Sequence, residues 1–154
     1  LSTAGKAIVQ LRVSTVVPAP AEKVYEYVTA FGPDGPVDEE GFQQKYSEDI
    51  RLTDDGYVYT EDIRRYPDDP EEIITWRCTF DYPSHRFMAA LDSDWSHRRD
   101  VFKPIADATR WTVQWSPQSN LALGLIRFLY FKLKRGKVVR RELMDPVRRH
   151  FEAG

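Results

Sequence analysis

One stretch limits the fold of this chain more than any other, the run from Asn120 to Phe151 near its end. Leu121, Leu125, Phe128 and Leu129 recur there at helical spacing, and Val139, Leu143, Val147 and Phe151 continue the series one residue in four. A helix of that length with an apolar stripe needs a broad surface to lie on. The preceding chain supplies one, because most of it alternates with period two.

Taken in order, Lys6 to Val17 reads as a strand with Ala7, Val9, Leu11, Val13 and Thr15 on one face. Pro18-Ala19-Pro20-Ala21 ends it, since proline removes a ladder donor and suits a first helical position. A helix is predicted over Ala21–Phe31, with Val24, Tyr27, Val28 and Phe31 on its inner face, and Gly32-Pro33-Asp34-Gly35-Pro36 breaks it. Val37 to Tyr46 is expected as a second short helix, with Asp38, Glu39 and Glu40 near its N-terminus. Six further strands follow: Glu48–Thr53, Tyr57–Arg65, Glu72–Phe80, His85–Leu91, Trp95–Ile105 and Thr109–Trp115. Turn-forming clusters such as Asp54-Asp55-Gly56 and Tyr82-Pro83-Ser84 separate them. Hairpin-linked strands with segregated helices imply an α+β architecture, one seven-stranded antiparallel sheet whose twist curls it around the terminal helix. At 154 residues the whole chain is expected to be a single domain.

Cys78 is the only cysteine, which excludes an internal disulfide and a cysteine-based metal site and fits a reducing, cytoplasmic setting. The start of the chain shows no basic stretch followed by a continuous apolar core, so no secretory signal is expected. Leu121 to Phe131 is interrupted by Arg127 and is too short to span a bilayer. Charge is unevenly placed: the first 120 residues carry 13 basic and 21 acidic side chains, and the last 34 carry 9 and 3. The terminal helix is therefore a basic element on an acidic body.

Two local strings carry a resemblance. Val17-Pro18-Ala19-Pro20-Ala21-Glu22-Lys23-Val24-Tyr25-Glu26-Tyr27-Val28 runs from strand through a Pro-Ala turn into an amphipathic helix. Phe102-Lys103-Pro104-Ile105 followed by Ala108-Thr109-Arg110-Trp111-Thr112 forms a later hairpin. Together with the order of elements, they resemble the START/SRPBCC superfamily, in particular its polyketide cyclase/dehydrase-like and birch-pollen-allergen-like branch. The resemblance spans essentially the whole chain. It implies the helix-grip fold, in which a seven-stranded sheet grips a C-terminal helix and a cavity between them takes sterols, lipids, polyketides, hormones or isoprenoid quinones. Two positions depart from the pattern. Ala108 stands where glycine is common, and Asp145-Pro146 interrupts the helix, where Asp145 would cap a second segment with Pro146 at its first position.

The period-two faces predict an inward set of Tyr57, Tyr59, Ile74, Trp76, Phe87, Ala89, Phe102, Trp111, Val113 and Trp115, closed by Leu125 and Leu129 or by Val139 and Leu143. With four Trp and eight Tyr in the chain, such a face suits a ring-bearing ligand with one polar end, or a plainly filled core. Arg98 and Asp100 share the face of Phe102. If Phe102 points inward they must pair there or meet a ligand anion, and a one-residue shift would leave both in water.

His85, His97 and His150 lie in separate elements and make no metal set, and no nucleophile elbow, P-loop or dinucleotide fingerprint is present. No cofactor is expected. The leading expectation is binding or transport of a hydrophobic small molecule, lipid-like or polycyclic, without catalysis. A cofactor-free cyclase or aromatase is the alternative, with His85, Glu61 or Asp100 as its proton-transfer residues. A third reading is a membrane-peripheral or protein-interaction module, in which the basic helix rests on an anionic surface. The acidic body argues against nucleic acid, and Asp68, Asp69, Glu71 and Glu72 offer the helix an internal counter-charge instead.

Overall fold

The structure, a computed structural model, describes residues 10–36, 48–53, 56–62, 68–71, 73–91, 96–117, 126, 129, 132–133 and 138–154. Strand β1 (Leu11–Val17) leads through Pro18–Pro20 into helix α1 (Ala21–Thr29). The short pair β2 (Phe31–Gly32) and β3 (Gly35–Pro36) follows. Six strands come next: β4 (Glu48–Thr53), β5 (Gly56–Asp62), β6 (Ile73–Asp81), β7 (His85–Ala90), β8 (Ser96–Ile105) and β9 (Ala108–Pro117). The chain closes with a π-helical turn (Arg140–Met144) running into helix α2 (Asp145–Glu152).

The main sheet is seven-stranded in the order β1-β9-β8-β7-β6-β5-β4, and every pair in it is antiparallel. Each strand from β4 to β8 pairs with its successor, so only β1 crosses the molecule, to lie along β9. Leu11, Val13, Thr15 and Val17 face inward from β1 and sit opposite Trp115, Val113, Trp111 and Thr109. The buried Thr109 hydroxyl donates 2.7 Å to the Ala19 carbonyl and ties the Pro-Ala turn to the start of β9. The β8–β9 hairpin is closed by two residues, Ala106 and Asp107, and Ala106 takes a left-handed φ of 50°. The turn is as tight as one with glycine would be, with the conformational burden on Ala106 instead of Ala108. Gly56 opens β5 where the backbone of β6 comes so near that an added Cβ would lie 1.9 Å from the Cys78 carbonyl oxygen.

Helix α1 differs in detail from its sequence pattern. It ends at Thr29, and Ala30 turns out of it with φ 56°, so Phe31 belongs to β2. Its buried residues are Ala21, Val24, Tyr25, Val28 and Thr29, while Tyr27 is half-buried at the rim. The expected helix over 37–46 lies outside the described residues.

Two apolar clusters form on the concave side. One joins β1, β8 and β9 to α1 and the C-terminal helical segment through Val24, Tyr25, Trp111, Val139, Met144 and Val147. The other, on β5 to β7, is built around Tyr59, Trp76, Cys78 and Met88. Phe80 packs against both: its ring stacks on Phe31 at 4.1 Å and meets Tyr25 edge-on at 6.4 Å.

Pro146 does not break the terminal helix in two. Asp145 keeps helical angles and caps nothing; its N–H donates to the Arg140 carbonyl five residues back. The wider turn gives the proline ring room against the preceding turn and absorbs its missing donor, so the helix carries on through Glu152. The expected stretch before Val138 falls largely outside the described residues, although Ile126, Leu129, Lys132 and Leu133 are helical. Among the described residues no helix is long and apolar enough to cross a membrane.

Candidate functional site

The register places the inward side chains in ranks across the concave face. Val13 lies opposite Val113, Val113 opposite Asp100, Asp100 opposite Arg86 and Arg86 opposite Phe80. One step along, the rank reads Leu11, Trp115, Arg98, Met88, Cys78 and Tyr57. Charged groups thus occupy the middle of these two ranks, which are otherwise made of aromatic, aliphatic and sulfur-bearing residues.

Phe102 points inward, and Arg98 and Asp100 go in with it as the shared face requires. Asp100 and Arg86 are fully buried, and the Arg98 side chain is 11% exposed. Arg86 donates from Nε to Asp100 Oδ2 at 2.6 Å and reaches the same oxygen with Nη2. Arg98 donates from Nε to the other oxygen, Oδ1, at 3.2 Å. Its guanidinium carbon lies 5.4 Å from the centroid of the Trp115 ring. One carboxylate therefore serves two guanidinium groups. Burial, the largest single influence, would lower the Arg86 pKa, but Asp100 together with Tyr57, Cys78 and Tyr59 outweighs it and the value is raised, so Arg86 stays charged.

Around this cluster stand hydroxyl and indole groups. Tyr57 donates to the Thr29 carbonyl at 3.2 Å, and Tyr25 to the His85 carbonyl at 2.9 Å. Burial pushes both tyrosine pKa values upward against the opposing pull of Arg86. Trp111 is fully buried and stacks on Phe102 with an interplanar angle of 4°. Its indole N–H is enclosed and has no hydrogen-bond partner among the described residues.

Of the residues singled out in the sequence, Tyr57, Tyr59, Ile74, Trp76, Phe102, Trp111, Val113, Trp115 and Val139 are buried, and Leu143 packs against the larger cluster. Phe87 is a correction. It is 43% exposed on the convex face, and β7 turns Arg86, Met88 and Ala90 inward. The apolar residues of His85-Arg86-Phe87-Met88-Ala89-Ala90 fit either phase, and the larger ring favours the wrong one. What decides it is Asp100, directly across the ladder from Arg86.

His85 moves outward with Phe87. Its ring stacks on Phe87 with centroids 5.8 Å apart, and Arg99 Nη2 approaches its Nε2 at 3.2 Å, so it is no acid or base for the concave face. Leu129 is also a correction, 42% exposed instead of closing the site. Leu125 and the Glu61 side chain lie outside the described residues. Sequence reasoning missed Arg86, Met88 and Tyr25; the signal for Arg86 was an inward Asp100 that needed a cation within reach.

The fold is the helix-grip fold of START/SRPBCC proteins. Solved structures that share it include an aromatase/cyclase, Zhui, from a Streptomyces species, at 14% identity and a TM-score of 0.62, covering 93% of both chains. A protein from Thermus thermophilus is similar at 19% identity and a TM-score of 0.61, covering 94% of this chain and 97% of that one. A START superfamily protein from Mycobacterium smegmatis has 14% identity, a TM-score of 0.57 and the same coverage of 94% and 97%. At these identities the likeness is one of fold. No protein-family model and no curated protein matches the sequence.

Proposed function

We propose that the protein binds or carries a hydrophobic small molecule, lipid-like or polycyclic, between the concave face of the sheet and the C-terminal helical segment. The observation that carries this reading is the Trp111 indole N–H, enclosed among aromatic rings without an acceptor among the described residues. Buried donors are nearly always satisfied, and a ligand carbonyl or hydroxyl would supply the missing partner while its body lies on Phe102 and its neighbours. Nile red, an apolar dye with one ring carbonyl, tests it. Saturable binding of about one equivalent is expected, and Trp111→Phe should weaken it about three- to tenfold, the equivalent of one neutral hydrogen bond. Absence of saturable binding to the wild-type protein would overturn the reading.

A second reading concerns the outside of the terminal helix. Ile126, Leu129 and Leu133 are 62%, 42% and 78% exposed and fall at i, i+3 and i+7, on one side of a segment rich in Lys and Arg. That pattern supports peripheral attachment to an anionic lipid surface, with these side chains in the interface and the cations over the headgroups. The cyclase alternative is weakened at two of its three candidates, because His85 faces away from the site and Asp100 is held by two arginines, while the Glu61 side chain lies outside the described residues.

A further inference from the structure

We infer that the ligand is an organic acid, and that Arg98 receives its anionic end. The inference rests on the apolar-ligand reading above and adds the chemical class. Three observations lead to it. Arg86, Asp100 and Arg98 form a cluster of two cations and one anion, so their formal sum is positive. Two of the three are fully buried, on a face where uncompensated charge is costly.

The two arginines are held differently. Arg86 is wholly enclosed, donates through Nε to Asp100 Oδ2 and holds Nη2 in ion-pair contact with the same oxygen. Among the described residues, Arg98 makes its only hydrogen bond through Nε, which leaves the amino groups of its planar fork for another acceptor. Its side chain keeps 11% exposure where that of Arg86 has none, and its guanidinium carbon lies 5.4 Å from the centroid of the Trp115 ring.

The arrangement is a preorganised anion receptor. Asp100 fixes the guanidinium through one edge, Trp115 supports its plane, and Arg86 supplies the second positive charge behind. A carboxylate, sulfonate or phenolate arriving with an apolar body would neutralise the cluster and accept charge-assisted hydrogen bonds from Arg98. A neutral sterol or ester of equal shape would bury the same area and leave the excess charge in place. Selectivity for acids over their neutral counterparts follows.

Two dyes with the same ring system separate the possibilities, neutral N-phenyl-1-naphthylamine and anionic 8-anilinonaphthalene-1-sulfonate. The wild-type protein should bind the sulfonate about tenfold more tightly. Arg98→Met, which keeps an apolar stem of similar length, should abolish that preference by weakening the sulfonate alone. Arg110→Gln on the exposed convex face should leave both affinities unchanged and so exclude surface ion pairing. Should Arg98→Met fail to fold, the Arg98 side-chain N–H resonance of the wild-type protein decides: the sulfonate shifts it and the neutral dye does not. Equal affinity for the two dyes, equal weakening of both by Arg98→Met, or an unmoved Arg98 resonance overturns the inference and leaves apolar binding standing. If neither dye binds, the apolar-ligand reading falls and the inference falls with it.

Discussion

At the scale of single residues, Asp100 matters most. It is fully buried, with Arg86 on one oxygen and Arg98 on the other. Removing one partner of a buried ion pair strands the other charge, whereas replacing the pair by apolar groups of similar volume is often tolerated. Asp100→Ala is therefore expected to destabilise the protein by about 3–5 kcal/mol, read from urea midpoints. The double variant Arg86→Met, Asp100→Leu should be more stable than Asp100→Ala. A double variant as unstable as the single one would mean that packing, not charge, governs the site. The cluster is thus poor evidence of stability for its own sake, which is one more reason to look for its use in binding.

At the scale of elements, β7 illustrates what decides which face of a strand is inside. Its alternation leaves the phase open, because Phe87 and Ala89 oppose Met88 and Ala90 with nearly equal claims. The ladder settles it through Arg86 opposite Asp100 and Met88 opposite Arg98. Met88→Ala should cost about 2–5 kcal/mol, as for other buried large-to-small changes, whereas Phe87→Ser should cost less than about 1 kcal/mol despite removing the larger side chain. Thermal or urea denaturation of the two variants gives the comparison, and the reverse order would mean that Phe87 is the inner residue. The terminal helix holds a similar lesson. Proline promised an interruption, but a single π-helical turn accommodates it and keeps Met144 and Val147 in the core.

At the scale of the whole molecule, two tyrosine hydroxyls stitch α1 and the turn after it to the sheet, Tyr25 to the start of β7 and Tyr57 to the end of α1. Burial raises the pKa of both, so the folded protein keeps protons that the unfolded chain releases near pH 10. Their contribution is complete below about pH 10 and is lost as pH rises through the higher folded values. Stability should therefore fall above about pH 10, by up to about 1.4 kcal/mol per pH unit for each tyrosine. Tyr57→Phe should flatten that alkaline limb while lowering stability at neutral pH by about 1 kcal/mol, the net worth of a hydrogen bond. A stability profile level from about pH 9 to 11 in the wild-type protein would contradict it.

The sequence by itself determined the extended segments and most of their ends, the helix after the Pro-Ala turn, and the inward faces of β1, β5, β6 and β9, while the phase of β8 stayed open. Each of these depends on periodicity and turn chemistry within a dozen residues. It also determined that Arg98 and Asp100 go wherever Phe102 goes, since side chains two apart on a strand share a side. Only the tertiary structure decided that β1 lies beside β9, that β7 turns Arg86 inward, that His85 and Leu129 face out, and that one carboxylate is shared by two arginines. The physical reason is common to all of them. A strand's alternation states that two faces differ, but which face is buried depends on partners far away in the sequence, and here an aspartate 14 residues from Arg86 made the choice.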